Sequence, residues 1–270
     1  MAFLKKRYNK KIIKTEYYYE IWDYELPIVF SNKENTVEIE SVDETKIKEK
    51  RKNFDELDSD ELDYRLKRMR EKRRLAKWKL SRLIDANYNS KTSFLTLTTK
   101  ENITNRDEFN NMFKLFINSF NYTVFHTKKR ELKYVAVLEK QKRGAWHAHL
   151  LMFGVPYVEH SELLRLWKHG AVRINKLNDL DSSSNAGRYI SKYFTKGMDQ
   201  NLLESFGKKS YLASRNLKKI DETKFFSKGE LEFDDSVILY EAEYTSKIFR
   251  SGKLIDNKVR YRKIKLNTEV

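Results

Sequence analysis

The stretch Gly144-Ala145-Trp146-His147-Ala148-His149-Leu150-Leu151-Met152-Phe153-Gly154 decides the fold of this chain. It is apolar, it lies between two glycines and it is too short for a typical helix, so it predicts a β-strand. Side chains alternate between the faces of a strand, so His147 and His149 share one face about 7 Å apart. Such a pair can share one metal ion; the alternative is a pair of half-buried strand histidines.

The residues before this strand predict its hairpin partner. Residues 133–139 are rich in β-branched and aromatic side chains, and residues 140–144 form a polar turn that ends in glycine. If the turn is centred on Arg143, Glu139 lies opposite His147 at about 5 Å. Glu139, His147 and His149 are therefore the predicted metal ligands, with coordination positions left open for a substrate. A slip of one residue would turn Glu139 away and leave it as an ordinary edge carboxylate.

A third segment, residues 185–197, predicts a helix that serines can cap and a glycine can end. Tyr189 and Tyr193 are four residues apart and so lie on one helical face. Lys192 and Lys196 form a stripe beside them. The alternative for the two tyrosines is ordinary aromatic packing on an amphipathic helix.

Together, the three segments resemble the HUH endonuclease superfamily of rolling-circle replication initiators, relaxases and transposases. The matching motifs are Phe94-Leu95-Thr96-Leu97-Thr98-Thr99, His147-Ala148-His149 and Tyr189-Ile190-Ser191-Lys192, in the order that the family has. The second helix motif, Tyr193 with Lys196, is similar to that of the two-tyrosine initiators of small single-stranded-DNA phages.

The resemblance implies a Rep protein of a bacterial plasmid or phage that nicks single-stranded origin DNA and later rejoins the ends. A tyrosine would attack the phosphate with the help of Mn²⁺ or Mg²⁺, leaving a 5′-phosphotyrosine and a free 3′-OH. The implied catalytic residues are Tyr189, Tyr193, Lys192 and Lys196. Host helicase and polymerase are the further partners expected. An HUH transposase and a non-enzymatic nucleic-acid-binding protein with a vestigial site are the alternatives.

The composition agrees with a polyanionic partner. The chain has a formal net charge of +16 and a pI of about 9.6, which favours nucleic acid. No apolar run approaches the roughly 20 residues that span a membrane, and the charged N-terminus is unlike a secretory signal. The absence of cysteine excludes disulfides and thiolate metal sites. We therefore expect a cytoplasmic protein without a membrane partner; its oligomeric state stays open.

Three basic regions, residues 8–31, 58–83 and 208–220, are candidates for DNA contact. Residues 58–83 predict a capped amphipathic helix in which Glu71 is the one acid between Arg65 and Arg82. The predicted DNA-binding residues are Arg70, Arg73, Arg74, Lys77, Arg143, Arg188, Lys208, Lys209 and Arg215. Residues 8–31 alternate aromatics with charge; they could stack bases, or pack an added sheet.

The element order predicts an α+β fold. From Phe94 onward the patterns read β-α-β-β-α-β-α, with a helix that Thr104 or Asn105 caps and that has an apolar stripe beginning at Phe109. This order matches a ferredoxin-like antiparallel sheet with helices on one side. The predicted domains are residues 1–92 (strands and a basic helix), residues 93–207 (the HUH core) and residues 208–270 (a basic extension).

Overall fold

The computed structural model describes residues 7–15, 17–29, 54–175, 208–231, 233, 236–250 and 252–265. It is an α+β fold in two compact units, Phe54–Lys219 on the one hand and Met1–Asn53 with Ile220–Val270 on the other. The elements in chain order are β1 (Arg7–Lys14), β2 (Tyr18–Val29), α1 (Ser59–Asp85), β3 (Ser93–Thr98), α2 (Arg106–Phe125), β4 (Lys133–Lys140), β5 (Trp146–Phe153), α3 (His160–Trp167), β6 (Val172–Asn175), β7 (Leu212–Ala213), β8 (Asp221–Phe225), β9 (Val237–Arg250) and β10 (Lys253–Lys265).

The unit 54–219 is built on a five-stranded antiparallel sheet. Its strand order is β6-β3-β5-β4-β7, and β3-α2-β4-β5-α3-β6 is the split β-α-β arrangement predicted from the sequence. The short edge strand β7 is attached to β4 through Ser214. The Ser214 N–H donates to the Tyr134 carbonyl at 3.0 Å, and its hydroxyl accepts the Tyr134 N–H at 3.0 Å.

Helix α2 supplies most of the core on one face of this sheet. Its N-cap is Asn105, as predicted, and the Asn105 side chain accepts the N–H groups of Asp107 and Glu108. Phe109, Phe113, Phe116 and Phe120 are all at most 1% exposed and pack with α3 against β3, β4 and β5. None of the helices in the described ranges is long and apolar enough to cross a membrane.

Helix α1 covers the opposite face of the sheet, which differs from the expected one-sided arrangement. Its capping interaction is confirmed, because the Asp58 side chain accepts the Glu61 N–H at 2.8 Å. Leu80 and Ile84 in its last turns pack against Val135 and Leu151. The reason is that β4 and β5 are apolar on both faces, and an uncovered second face would leave that surface in water.

The second unit is a five-stranded sheet with the order β8-β1-β2-β10-β9. Strand β2 pairs with β10, so Tyr18–Tyr24 lie beside Val259–Lys265 although more than 200 residues separate them. In the domains predicted from the sequence, these two strands belong to separate extensions, residues 1–92 and residues 208–270. Local patterns predict a strand but do not name its partner, and this pairing joins the two extensions into one sheet.

Asn121 links the end of α2 to the start of β4. It is 7% exposed, its amide donates to the carbonyls of Thr127 (3.1 Å) and Lys129 (2.7 Å), and its carbonyl accepts the N–H groups of Glu131 and Leu132 at 2.9 Å. These bonds hold the loop that leads into the strand carrying Glu139.

We expect Asn121→Ala to lower the free energy of unfolding by about 2–4 kcal/mol, because it leaves buried backbone groups without partners. Urea unfolding followed by circular dichroism measures the change. Asn118→Ala, on an exposed position of the same helix, is the matched control and should shift stability by less than about 0.5 kcal/mol. Equal effects of the two substitutions would contradict the role given to Asn121.

Candidate metal centre

The β4–β5 hairpin brings the three predicted metal ligands together. Glu139 pairs with His147 across the ladder, which confirms the predicted register, and His149 pairs with Thr96 of β3. The Gly144 N–H donates to the Gln141 carbonyl at 2.9 Å and closes the turn. Gly144 has φ +91°, a left-handed conformation that glycine adopts without steric cost, so the turn depends on this residue.

Two imidazole nitrogens converge on one carboxylate oxygen. Glu139 Oε2 lies 3.0 Å from His149 Nε2 and 3.2 Å from His147 Nε2. The two imidazole rings are 4.7 Å apart, and one ligand atom from each of the three residues lies within 4.8 Å of the others. Three donor atoms this close together form a compact cluster at the edge of the core.

The cluster is almost removed from water, and its environment lowers the pKa of Glu139. Glu139 is 5% exposed and the two histidine side chains are 13% exposed. Burial by itself raises the pKa of the Glu139 carboxyl, but the two adjacent imidazoles lower it more, and the resulting pKa lies well below the usual glutamate range. The cluster therefore presents a carboxylate beside two nitrogen donors.

Each imidazole ring has a further contact, at its Nδ1 atom, that orients it. Thr96 Oγ1 lies 3.2 Å from His149 Nδ1, and Gln141 Nε2 lies 3.5 Å from His147 Nδ1. Holding Nδ1 directs Nε2 of each ring toward Glu139. The Thr96 hydroxyl can accept the Nδ1–H of His149, as is common for ligating histidines, whereas the Gln141 amide nitrogen donates to Nδ1 of His147. No local pattern marks Thr96 or Gln141 as partners of the histidines. Thr96 belongs to the strand motif 94–99, but only the β3–β5 register brings it beside His149.

The donor set fits a divalent cation. His147 Nε2 is buried and makes no hydrogen bond, although Glu139 Oε2 is close to it. A positive ion between the carboxylate and the two nitrogens would satisfy all three groups at once. Two imidazoles and one carboxylate suit Mn²⁺, Zn²⁺ and other first-row ions, and also accept Mg²⁺.

The predicted catalytic residues lie outside the described residues. Tyr189, Lys192, Tyr193 and Lys196 all fall in the segment 176–207, as does the predicted DNA contact Arg188. Their roles stay predictions from the sequence.

The other predicted DNA contacts lie on α1, on the hairpin turn and on the segment after residue 207. Arg70 and Arg74 are exposed on α1 and Lys77 is half-buried, whereas Arg73 is 7% exposed and so is not presented to solvent. Lys209 and Arg215 are exposed.

Two of these cations already make contacts within the unit. The Arg143 guanidinium donates to the carbonyls of Lys100 (3.2 Å) and Thr99, so it fixes the chain that follows β3. Lys208 lies 2.6 Å from Asp107 and, through this hydrogen bond, lowers the pKa of that carboxyl. Any contact that these two residues make with DNA has to compete with the interactions seen here.

We expect His149→Ala to weaken Mn²⁺ binding at least about tenfold, because it removes one of three ligands. Isothermal titration of the metal-free protein with Mn²⁺ measures the affinity. His126→Asn is the matched control: His126 is exposed at the end of α2 with φ +52°, a conformation that asparagine tolerates. Unchanged Mn²⁺ affinity in His149→Ala would rule out the cluster as the binding site.

Comparison with known proteins supports a role in DNA replication. Residues 92–198 match the family model of the replication-associated protein ORF2, a stretch that contains the cluster and the tyrosine segment. The chain is also similar to the phasyl DNA replicon protein arp of Escherichia coli, with 26% identity over 167 residues that cover 53% of this chain and 56% of that protein. The chain thus spans about half the length of this relative. No solved structure matches the chain.

Proposed function

We propose that this chain initiates replication by nicking single-stranded origin DNA through tyrosine attack, in the manner of a rolling-circle HUH initiator. The observation that carries the proposal is the convergence of His147 and His149 on Glu139 within a segment that matches replication-associated proteins. The proposed nuclease core is residues 93–207.

In the proposed reaction, the phenol oxygen of Tyr189 or Tyr193 forms a bond to phosphorus, and the bond from phosphorus to O3′ breaks. The phenol proton passes to O3′, so the products are a 5′-phosphotyrosine and a free 3′-OH. Attack by a 3′-OH on the phosphotyrosine reverses the step and rejoins the strand. With two tyrosines, one can hold the first DNA end while the other cuts again.

The chain's own residues address two chemical difficulties. A tyrosine hydroxyl has an ordinary pKa near 10, and Lys192 and Lys196 are assigned to lower it by favouring the phenolate. Glu139, His147 and His149 would hold Mn²⁺ or Mg²⁺, and the bound ion would supply positive charge to the phosphate under attack. Thr96 and Gln141 keep the two imidazoles aimed at that position.

The partners follow from the products and from the charge of the chain. The free 3′-OH is the group that a polymerase extends, and unwinding ahead of it calls for a helicase, so we assign both host enzymes as partners. The exposed arginines of α1 would contact phosphates and supply affinity that does not depend on sequence.

We expect the double substitution Tyr189→Phe/Tyr193→Phe to abolish a covalent adduct between the protein and a single-stranded oligonucleotide that contains the origin. Incubation with Mn²⁺ followed by denaturing gel electrophoresis detects the adduct. Wild type with EDTA and His149→Ala should both form little or none, while His126→Asn should form it normally.

Two outcomes would count against the mechanism in different ways. An adduct that persists in the double variant would show that another residue is the nucleophile. Absence of any adduct from Mn²⁺-loaded wild type on the true origin strand would favour a DNA-binding protein without nuclease activity.

We expect Arg70→Gln/Arg74→Gln to weaken binding to all single-stranded sequences by a similar factor and to reduce the salt dependence of the binding constant. Each lost phosphate contact lowers the slope of log K against log salt by about 0.7 for a single strand. Fluorescence anisotropy across a salt series measures the slope. Lys114→Gln, an exposed cation of α2, is the control. A loss confined to one DNA sequence would contradict phosphate contact.

A further inference from the structure

The sheet of the second unit carries a row of aromatic and basic side chains on one face. Trp22 of β2 pairs directly with Lys11 of β1 and with Tyr261 of β10, and the row continues to Lys224 on β8 and Ala242 on β9. Directly opposed residues of neighbouring strands share a face. This aromatic row, defined by these five residues, therefore crosses all five strands of the sheet.

The side chains of the row contact one another. Lys11 Nζ lies 4.8 Å from the centre of the Trp22 ring, which is a cation–π distance. The Trp22 and Tyr261 ring centres are 5.0 Å apart. The Tyr261 hydroxyl donates to Glu20 Oε1 at 2.7 Å, which fixes the orientation of its ring. The row is thus a continuous surface of ring and ammonium groups.

Two exposed tyrosines lie at the β9 end of the row. Tyr240 and Tyr244 flank Ala242 on the same face of the strand and are 58% and 46% exposed. Tyr240 extends the stack, since its ring centre is 6.0 Å from that of Tyr261. Ala242 puts only a methyl group between Tyr240 and Tyr244, whose Cα atoms are about 13 Å apart along the strand. A planar group can stack on either exposed ring.

Charge on the two faces of this sheet is arranged differently. On the face of the row, Lys11 (3.2 Å) and Lys224 (2.7 Å) share the carboxylate of Glu222, and Lys263 pairs with Glu20 across the ladder, so Lys11, Lys224 and Lys263 outnumber these two carboxylates. On the other face, Lys10 and Arg262 bind Asp23 at 2.7 and 2.9 Å and all three are largely buried. The row is therefore the face on which positive charge accompanies exposed rings.

We propose that the aromatic row with Tyr240 and Tyr244 binds single-stranded DNA, with bases stacked on the tyrosines and phosphates near the lysines. Rings give sequence-tolerant stacking because every base has a π-face, and lysines follow the backbone. The choice of DNA rests on the proposed function. The surface would give the protein a strand contact in addition to the nuclease core.

The test is fluorescence anisotropy of the full chain with labelled oligo-dT in EDTA, which removes any metal-dependent contribution. We expect Tyr240→Ala to weaken binding about fivefold or more and Tyr240→Phe to retain it, because the ring carries the interaction. Ala242→Leu should also weaken binding, because it puts a larger side chain between the two tyrosines while both stay in place.

Phe249→Ala is the matched control. Phe249 is an aromatic of the same strand, 74% exposed, and its odd position puts it on the other face from Tyr240, so binding should not change. Unchanged binding in Tyr240→Ala would overturn the proposal. So would a loss of the same size on duplex DNA, whose bases cannot stack on the surface.

The adduct assay separates this inference from the proposed function. A protein that forms the adduct but binds oligo-dT equally well as wild type and Tyr240→Ala would disprove the second surface alone. A protein that forms no adduct but loses oligo-dT binding in Tyr240→Ala would disprove the nuclease and leave the second surface standing.

Discussion

The register of β4 against β5 is the constraint on which the candidate site depends. Glu139 faces the two histidines only because it pairs with His147, and a shift of one residue would turn it to the other side of the sheet. Both strands are buried on both faces, with Val135 and Ala136 each 0% exposed, so a slip would disturb two cores at once. The hydrophobic packing of the sheet thereby fixes the distances between the polar atoms of the cluster.

The burial of the cluster has a cost for folding and a use in the proposed reaction. A carboxylate that is 5% exposed loses most of its hydration, and the neighbouring imidazoles offset part of that loss. In the proposed function, the same low exposure would strengthen the field that a cation held there exerts on a bound phosphate. Thr96 and Gln141 keep this arrangement ordered, and they do so from the two segments that flank it, β3 and the hairpin turn.

Much of the fold could be predicted because its elements carry strong local signals. The phenylalanine stripe and the Asn105 cap of α2 are confirmed, as are the β4–β5 hairpin and the Asp58 cap of α1. Three features were not accessible in this way: the face that α1 covers, the burial of Arg73, and the pairing of β2 with β10. Each depends on which surface an amphipathic segment meets, and a periodic pattern does not identify its partner.

The sequence by itself determined which residues could act together. H-x-H on a strand puts two imidazoles on one side, and a short turn with glycine at its end sets the carboxylate opposite, because side chains alternate along every strand. Only the tertiary structure decided that both Nε2 atoms aim at a single oxygen of Glu139, and that Trp22 from one end of the chain meets Tyr261 from the other. Such contacts come from the closure of long loops around packed cores, and no local pattern specifies that closure.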